Sequence, residues 1–170
     1  MKINNLKIWI KIKKSEFKNI NHLLKELREN NFILSPWIEN IFTNKKNNII
    51  LNNDKFNLYK ISVKKLGFKK PTKLKYIYKK ILENNLSLVS PTLALRVRLF
   101  HKDQKIGEWL RFATPFKSMV DTDNVPHLPK IGRALGKYFI ETYWSYPDAV
   151  FHPHNEFIVT KKNVIPKKKN

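Results

Sequence analysis

The sequence contains no cysteine, and this absence excludes disulfide-stapled scaffolds, thiolate zinc sites and thiol nucleophiles. It leaves the redox compartment of the protein open. The N-terminal stretch MKINNLKIWIKIKK has no uncharged run long enough for a signal peptide or a membrane span, so we expect a soluble cytoplasmic protein. Apolar residues make up 42% of the chain, a fraction typical of a globular domain rather than a disordered segment.

Negative charge is scarce, because 34 lysine and arginine residues stand against 13 aspartate and glutamate residues, a net charge of +21. The excess lies in residues 1–89, with 20 basic and six acidic side chains, and in residues 161–170, with five lysines and no acid. Such a field attracts nucleic acid or anionic lipid without sequence specificity. Only five of the basic residues are arginine, and there are only four glycines. This composition is typical of an A+T-rich genome, so codon bias stays a second interpretation of the charge.

Hydrophobic periodicity predicts the elements of the first half of the chain. Apolar residues alternate with lysine and tryptophan over residues 6–13, which indicates a half-buried strand. Residues 19–30 have helical spacing with Asn19 as a cap, and Ser35-Pro36 opens a short second helix, WIENIF. Two further elements follow: a strand over residues 56–63, and an amphipathic helix over residues 72–84 that Thr72 caps.

The second half of the chain reads as mostly β-structure. The run LALRVRLF predicts a strand that turns Arg96 and Arg98 outward, followed by a second strand after a short loop. A hairpin turning near Gly136 and a final strand at 149–160 complete the pattern. We therefore predict one α+β domain over residues 1–160, with about three helices mostly in the N-terminal half and an antiparallel sheet mostly in the C-terminal half. Residues 161–170 are expected to form a flexible basic tail.

A metal site is one hypothesis for the segment HPHNEF. Histidines at alternate positions of a strand share a face, so His152 and His154 could both reach one ion, with Glu156 next along that face. The loop DTDNVPH would add Asp121, Asp123 and His127, a ligand set suited to zinc, manganese or iron. No dense motif such as H-E-x-x-H supports this hypothesis, and the alternative is a solvent-facing strand with polar residues on one side.

Other stretches resemble known catalytic motifs but lack a residue or a spacing that the motif requires. The stretch GRALGKY has its glycines one residue too close for a phosphate loop, and Tyr138 replaces the magnesium-binding hydroxyl. In a nuclease-like reading of residues 147–158, Ile158 occupies the position of the required lysine. There is no G-x-S-x-G elbow. These failures favour a protein that is not an enzyme.

Nucleic-acid binding is the preferred hypothesis. Lysines on the predicted strand and helix, together with the two outward arginines, would form a basic surface that contacts phosphates, and Trp9 among lysines offers a platform for base stacking. The expected contact residues are Lys7, Trp9, Lys11, Lys73, Lys80, Arg96 and Arg98. No cofactor is expected under this interpretation. The alternatives are a metal-dependent enzyme with the His/Asp site and a protein-binding partner in a two-component system.

One stretch of the sequence carries a family resemblance. From Leu66 onward the chain contains an LGF turn, an I-Y helix, the segment PTLALRVRL and a GEWL strand ahead of an aspartate loop. In these features it resembles a group of small uncharacterised bacterial proteins. The resemblance implies a bacterial origin and a single domain, and it implies no activity and no functional residues.

Overall fold

The computed structural model describes residue 3 and residues 6–161. Within this part the chain forms four helices: α1 (Ile20–Glu29), α2 (Pro36–Thr43), α3 (Leu74–Glu83) and α4 (Thr92–Phe100). The strands are β1 (Ile10–Ile12), β2 (Ile33–Leu34), β3 (Phe56–Ser62), β4 (Thr72–Lys73), β5 (Leu86–Ser87), β6 (Trp109–Phe112), β7 (His127–Ala134), β8 (Lys137–Trp144), β9 (Val150–Phe151) and β10 (Glu156–Lys161). None of the helices in the described residues combines the length and apolar character that a membrane crossing requires.

Eight of the strands form one mixed sheet. Its order is β1–β3–β10–β6–β7–β8–β2, and β5 pairs with the end of β10. Strands β4 and β9 form a separate antiparallel pair. The α+β class is confirmed. The sheet lies mostly in the C-terminal half, as predicted, and the predicted N-terminal strands β1 and β3 join it. It is mixed rather than purely antiparallel, because β6 runs parallel to β10 and β2 runs parallel to β8.

The main sheet has an apolar core on each face. Helices α1, α2 and α4 cover one face, where Leu58 and Ile158 are fully buried. Helix α3 contributes to the core of the other face, which contains Tyr59, Phe157 and Val159. Because neighbouring residues of β10 point to opposite faces, this strand is buried on both sides and joins the two cores into one domain.

The first two helices confirm the prediction from capping residues. The side chain of Asn19 accepts a hydrogen bond from the His22 N–H at 2.8 Å, and Ser35 Oγ accepts one from the Ile38 N–H at 3.3 Å. These bonds satisfy backbone donors that have no partner within the first helical turn. The hairpin predicted near Gly136 is also confirmed, since β7 and β8 are joined by a two-residue turn.

Helix α3 is present, but Thr72 does not cap it. Thr72 belongs to β4, and its hydroxyl donates to the Lys70 carbonyl. The first N–H groups of the helix instead donate to backbone carbonyls of the loop before β9: Leu74 to Ala149 at 2.8 Å and Lys75 to Pro147 at 2.9 Å. A neighbouring segment thus replaces the capping side chain.

The strand predicted for LALRVRLF is a helix, α4. All residues from Thr92 to Arg98 are buried between α1 and the sheet. A helix buried on every side lacks the one-faced apolar stripe that identifies a surface helix, and in α4 even Arg96 and Arg98 are buried. A short apolar run of this kind also matches the pattern of a buried strand, which explains the wrong assignment.

The first strand and the last strand are shorter than predicted. Only Ile10–Ile12 of residues 6–13 is a strand. The predicted strand 149–160 is divided into β9 and β10 by a turn at Pro153 and His154, which the Asn155 side chain closes by accepting from the His152 N–H at 2.8 Å. Proline has no N–H to donate to a neighbouring strand, so pairing is interrupted there.

Candidate nucleic-acid interface

A groove of about 950 Å³ lies at the β1 side of the main sheet. Its walls come from β1 and the residues on either side of it, from β3 and the residue before it, and from β5 and β10. We call it the lysine groove, and its lining residues are Ile8, Lys11, Ile12, Lys13, Lys14, Lys55, Phe56, Asn57, Tyr59, Ser87, Thr160 and Lys161.

The charged residues of the lysine groove are all positive. Its lining includes five lysines and no aspartate or glutamate: Lys11, Lys13, Lys14, Lys55 and Lys161. All five are exposed. None of these five lysines forms an ion pair with a carboxylate in residues 6–161. The lysines that do form such pairs in this part of the chain lie outside the groove. The groove therefore offers an anionic partner several ammonium groups at once.

Strand pairing explains why the lysines share one groove. Lys11 lies opposite Asn57 and Ile12 lies opposite Phe56 in the antiparallel pair of β1 and β3. Since side chains alternate along a strand, Ile12 enters the core and Lys11 turns to the groove. From the other side of β3, Lys161 places its Nζ 4.9 Å from the ring centroid of Tyr59, which is buried and forms part of the floor.

Arg96 supports this groove from inside and does not reach solvent. The prediction that it faces outward is wrong, because α4 is a buried helix and Arg96 has no exposed surface. Its guanidinium donates to the backbone carbonyls of Lys13 at 2.6 Å, Asn52 at 2.7 Å and Asp54 at 2.9 Å. These carbonyls belong to the segments that carry Lys13, Lys14 and Lys55. Burial lowers the pKa of Arg96, and the charge of Asp54 opposes this effect.

Arg98 is also buried, so the same prediction is wrong for it. Its guanidinium lies beside the rings of Phe32 and Tyr138, which pack edge-on against each other, with Cζ 5.5 Å and 4.7 Å from their centroids. It donates to Gln104 Oε1 at 2.6 Å and to the His101 carbonyl. Burial lowers the pKa of Arg98 to about 10. Neither arginine is available for phosphate contact.

The other predicted contact residues fall into different surroundings. Lys7 is exposed, while Trp9 is half-buried and packs edge-on against His101 at a centroid distance of 5.0 Å. Neither lines the lysine groove, whereas Lys11 does. Lys73 Nζ lies 3.4 Å from an Asp148 carboxylate oxygen, and Lys80 Nζ lies 3.4 Å from a Glu83 oxygen. The predicted contact lysines of β4 and α3 therefore have charges that are partly balanced.

Asp121 and His127 come together, as the metal hypothesis expects, but they bond directly to each other. His127 Nε2 lies 3.0 Å from Asp121 Oδ2, and His127 Nδ1 lies 2.9 Å from the Thr142 hydroxyl. The other Asp121 oxygen accepts the N–H groups of Asp123 and Val125, both at 2.9 Å. Burial favours a raised pKa for Asp121, but these hydrogen bonds outweigh it and lower the pKa.

The remaining predicted ligands lie elsewhere in the fold. His152 and His154 occupy the turn between β9 and β10, where their rings stack with centroids 5.7 Å apart. Asp123 is exposed, and Glu156 pairs with Lys60 at 3.6 Å. Residues 3 and 6–161 contain no group of three or more histidine, aspartate or glutamate side chains that could hold a metal ion. The metal-centred enzyme stays a prediction.

Sequence reasoning missed most of the lysine groove. Lys14 and Lys55 belong to no periodic element, and Lys161 was assigned to the tail, of which residues 162–170 lie outside the described residues. A signal for Lys11, Lys13 and Lys14 is present in the run KIKK. No local pattern shows that this run meets Lys55 and Lys161, because their proximity depends on pairing between β1, β3 and β10.

Comparison with known proteins adds no assignment. No family model, no curated protein and no solved structure matches the chain. The resemblance to a group of small bacterial proteins therefore stays an expectation from the sequence. The function of the chain has to be inferred from its own surfaces.

Proposed function

We propose that this protein binds nucleic acid, and that the lysine groove contacts the phosphate backbone. The observation that carries the proposal is the set of five exposed lysines that share one groove without a carboxylate among its lining residues. Protein surfaces usually mix charges of both signs, and a concave site of one sign concentrates counterions of the opposite sign. A polyanion gains most from such a site because it presents several charges in a row.

A nucleic-acid strand suits the groove better than a flat anionic surface does. The lysines lie on the walls of a concavity of about 950 Å³, so a chain of phosphates can enter it, whereas a membrane surface meets only its rim. A positively charged groove that follows the backbone is the usual arrangement in proteins that bind single strands without sequence preference.

The composition of the groove argues against base recognition. Its charged residues are all lysine, which acts as a point charge, and arginine, which reads guanine or grips phosphate with two hydrogen bonds, is absent from the lining. Tyr59 is buried and Phe56 is half-buried, so neither presents an open face for stacking. We therefore propose contact with phosphates only, with affinity governed by salt and not by sequence.

The test is a binding titration with three lysines neutralised. Fluorescence anisotropy of a labelled single-stranded oligonucleotide of about 12 nucleotides is measured with the wild type and with Lys11→Gln/Lys55→Gln/Lys161→Gln. The control is Lys46→Gln/Lys117→Gln/Lys137→Gln, which removes the same charge from exposed positions outside the groove. We expect the groove variant to lose about tenfold or more in affinity and the control to lose far less. Equal losses would show that net charge alone attracts the oligonucleotide, and would overturn the proposal.

A further inference from the structure

A second concave site lies at the opposite side of the main sheet, where β7 and β8 meet α2. It is a pocket of about 250 Å³ lined by Trp37, His127, Thr142, Tyr143 and Trp144. Pockets for drug-sized ligands usually start at about 300 Å³, so this one has room for a single ring system. It is distinct from the lysine groove and shares no lining residue with it.

Two tryptophans form the open wall of the pocket. Trp144 lies opposite His127 in the antiparallel pair of β8 and β7, and 62% of its surface is exposed. Trp37 of α2 stacks on the His127 ring with centroids 5.5 Å apart and an angle of 28° between the planes. Trp37 is 48% exposed. Large aromatic side chains left open beside a pocket provide flat surfaces on which a planar ring can stack.

The polar end of the pocket is oriented by a hydrogen-bonded chain. The pKa of Asp121 is lowered, so its carboxylate accepts a hydrogen bond from His127 Nε2–H, and in the tautomer whose single proton is on Nε2 the Nδ1 atom carries none. Nδ1 then accepts, and the Thr142 hydroxyl must donate its proton to it. The lone pairs of the Thr142 oxygen remain for the pocket. The Thr142 oxygen is therefore a hydrogen-bond acceptor in the pocket, and a complementary ligand carries a hydrogen-bond donor.

We infer that this pocket binds a planar nitrogen heterocycle with an N–H or amino donor, the chemistry of a nucleobase, which stacks on Trp144 and donates to Thr142. Asp121 does not line the pocket and acts as a positioning residue through His127, whose ring lines the pocket and fixes the direction of the Thr142 hydroxyl. Both are more than nine-tenths buried, so solvent does not compete for the chain that orients the hydroxyl. The base can come from a free nucleoside or from a nucleotide within a strand.

The first experiment uses two ligands that differ by one donor. Adenosine and purine riboside, which lacks the amino group, are titrated into protein labelled with nitrogen-15 at the indole N–H groups. Adenosine should shift the signals of Trp37 and Trp144 and leave those of Trp9 and Trp109 unchanged. Purine riboside should bind about tenfold more weakly. Unshifted Trp37 and Trp144 signals, or equal affinity for the two ligands, would overturn the inference.

Variants of Thr142 separate the hydrogen bond from packing. Thr142→Ser keeps the hydroxyl and should keep the preference for adenosine, whereas Thr142→Val keeps the shape and should abolish the preference. A preference that survives in Thr142→Val contradicts the assigned role. Asp121→Asn frees the histidine tautomer, and this variant should reduce the preference without abolishing the stacking shifts of Trp144.

Two further measurements show whether the base comes from a strand or from a free nucleoside, and whether the pocket binds independently of the lysine groove. If a strand supplies the base, an oligonucleotide shifts the Trp144 signal and Trp144→Ala weakens its binding. If a free nucleoside is the ligand, only adenosine shifts this signal. The variant Lys11→Gln/Lys55→Gln/Lys161→Gln should bind adenosine as the wild type does. The pocket can therefore be confirmed or rejected whatever the result for the lysine groove.

Discussion

The Nη2 atom of Arg96 donates to the backbone carbonyl of Lys13 at 2.6 Å, and this bond connects the buried helix α4 to the rim of the lysine groove. The same guanidinium holds the carbonyls of Asn52 and Asp54 next to Lys55. Arg96 was predicted to contact phosphate, but it is buried beneath the groove and does not reach its surface. It fixes the backbone from which the groove lysines project.

Replacing Arg96 by methionine should destabilise the fold. The variant leaves at least three carbonyls without their charged donor, and we expect the free energy of unfolding to fall by about 3 kcal/mol. Urea denaturation of Arg96→Met measures the loss. The exposed Lys25→Met is the control and should stay within about 0.5 kcal/mol of the wild type. A similarly small change in Arg96→Met would show that water satisfies these carbonyls.

The lowered pKa of Asp121 gives a prediction for acid unfolding. A carboxylate with a lowered pKa contributes stability above its ordinary pKa of about 3.9, and this contribution disappears as the pH falls through the lowered value. Asp121→Asn should reduce stability at neutral pH by about 1–2 kcal/mol and make the acid side of the stability curve less steep. The check is the urea midpoint as a function of pH, with the exposed Asp123→Asn as control. Parallel acid limbs in Asp121→Asn and the wild type would contradict the prediction.

The backbone of Leu135, in the turn between β7 and β8, is strained, and a substitution at this position should relieve the strain. Leu135 has a φ of 50° and is 92% exposed, and Gly136 follows with a φ of 72°. Two positive φ values define the turn that favours Asn-Gly, and leucine tolerates this region poorly. Leu135→Asn should raise the thermal midpoint, with a gain of about 0.5–1 kcal/mol in stability. Leu135→Ala keeps the strain and should give no comparable gain, so equal effects of the two variants would refute this explanation.

Trp109 lies directly on Gly132. A Cβ added to Gly132 would be 2.3 Å from Trp109 Cε3, too close for any side chain without movement of the indole. Gly132→Ala should therefore cost about 1–3 kcal/mol in urea denaturation. The same substitution in a Trp109→Ala background should cost much less, because the clash is removed. Additive losses in the double variant would show that Trp109 is not the cause.

Local signals were sufficient for the elements with one buried face. Asn19 and Ser35 mark the starts of α1 and α2, and Gly136 marks the turn of the β7–β8 hairpin. Helix α4 was missed because it is buried on every side, so its sequence shows no single apolar face. A usable signal was present: Ser90-Pro91 repeats the Ser35-Pro36 pattern that opens α2, and it directly precedes α4.

The candidate site was less accessible to sequence reasoning. Lys11 was identified because it lies in an alternating run, but Lys55 and Lys161 reach the same groove only through long-range strand pairing. Arg96 and Arg98 were predicted to be exposed because their segment was assigned as a strand. The segment is the helix α4, and both side chains are buried. Asp121 and His127 were predicted to bind one metal ion together. In the structure they bond to each other, and the second ring nitrogen of His127 bonds to the Thr142 hydroxyl.

The salt dependence of oligonucleotide binding tests the lysine groove most directly. Each phosphate contact contributes about 0.7 to the slope of log K against log salt for a single strand. If Lys11, Lys55 and Lys161 each contact a phosphate, their replacement by glutamine should reduce the slope by about 2 between roughly 50 and 200 mM salt. The variant Lys46→Gln/Lys117→Gln/Lys137→Gln should keep the slope of the wild type. An unchanged slope in the groove variant, or an equal reduction in both, would contradict the assignment of the groove as the phosphate-binding site.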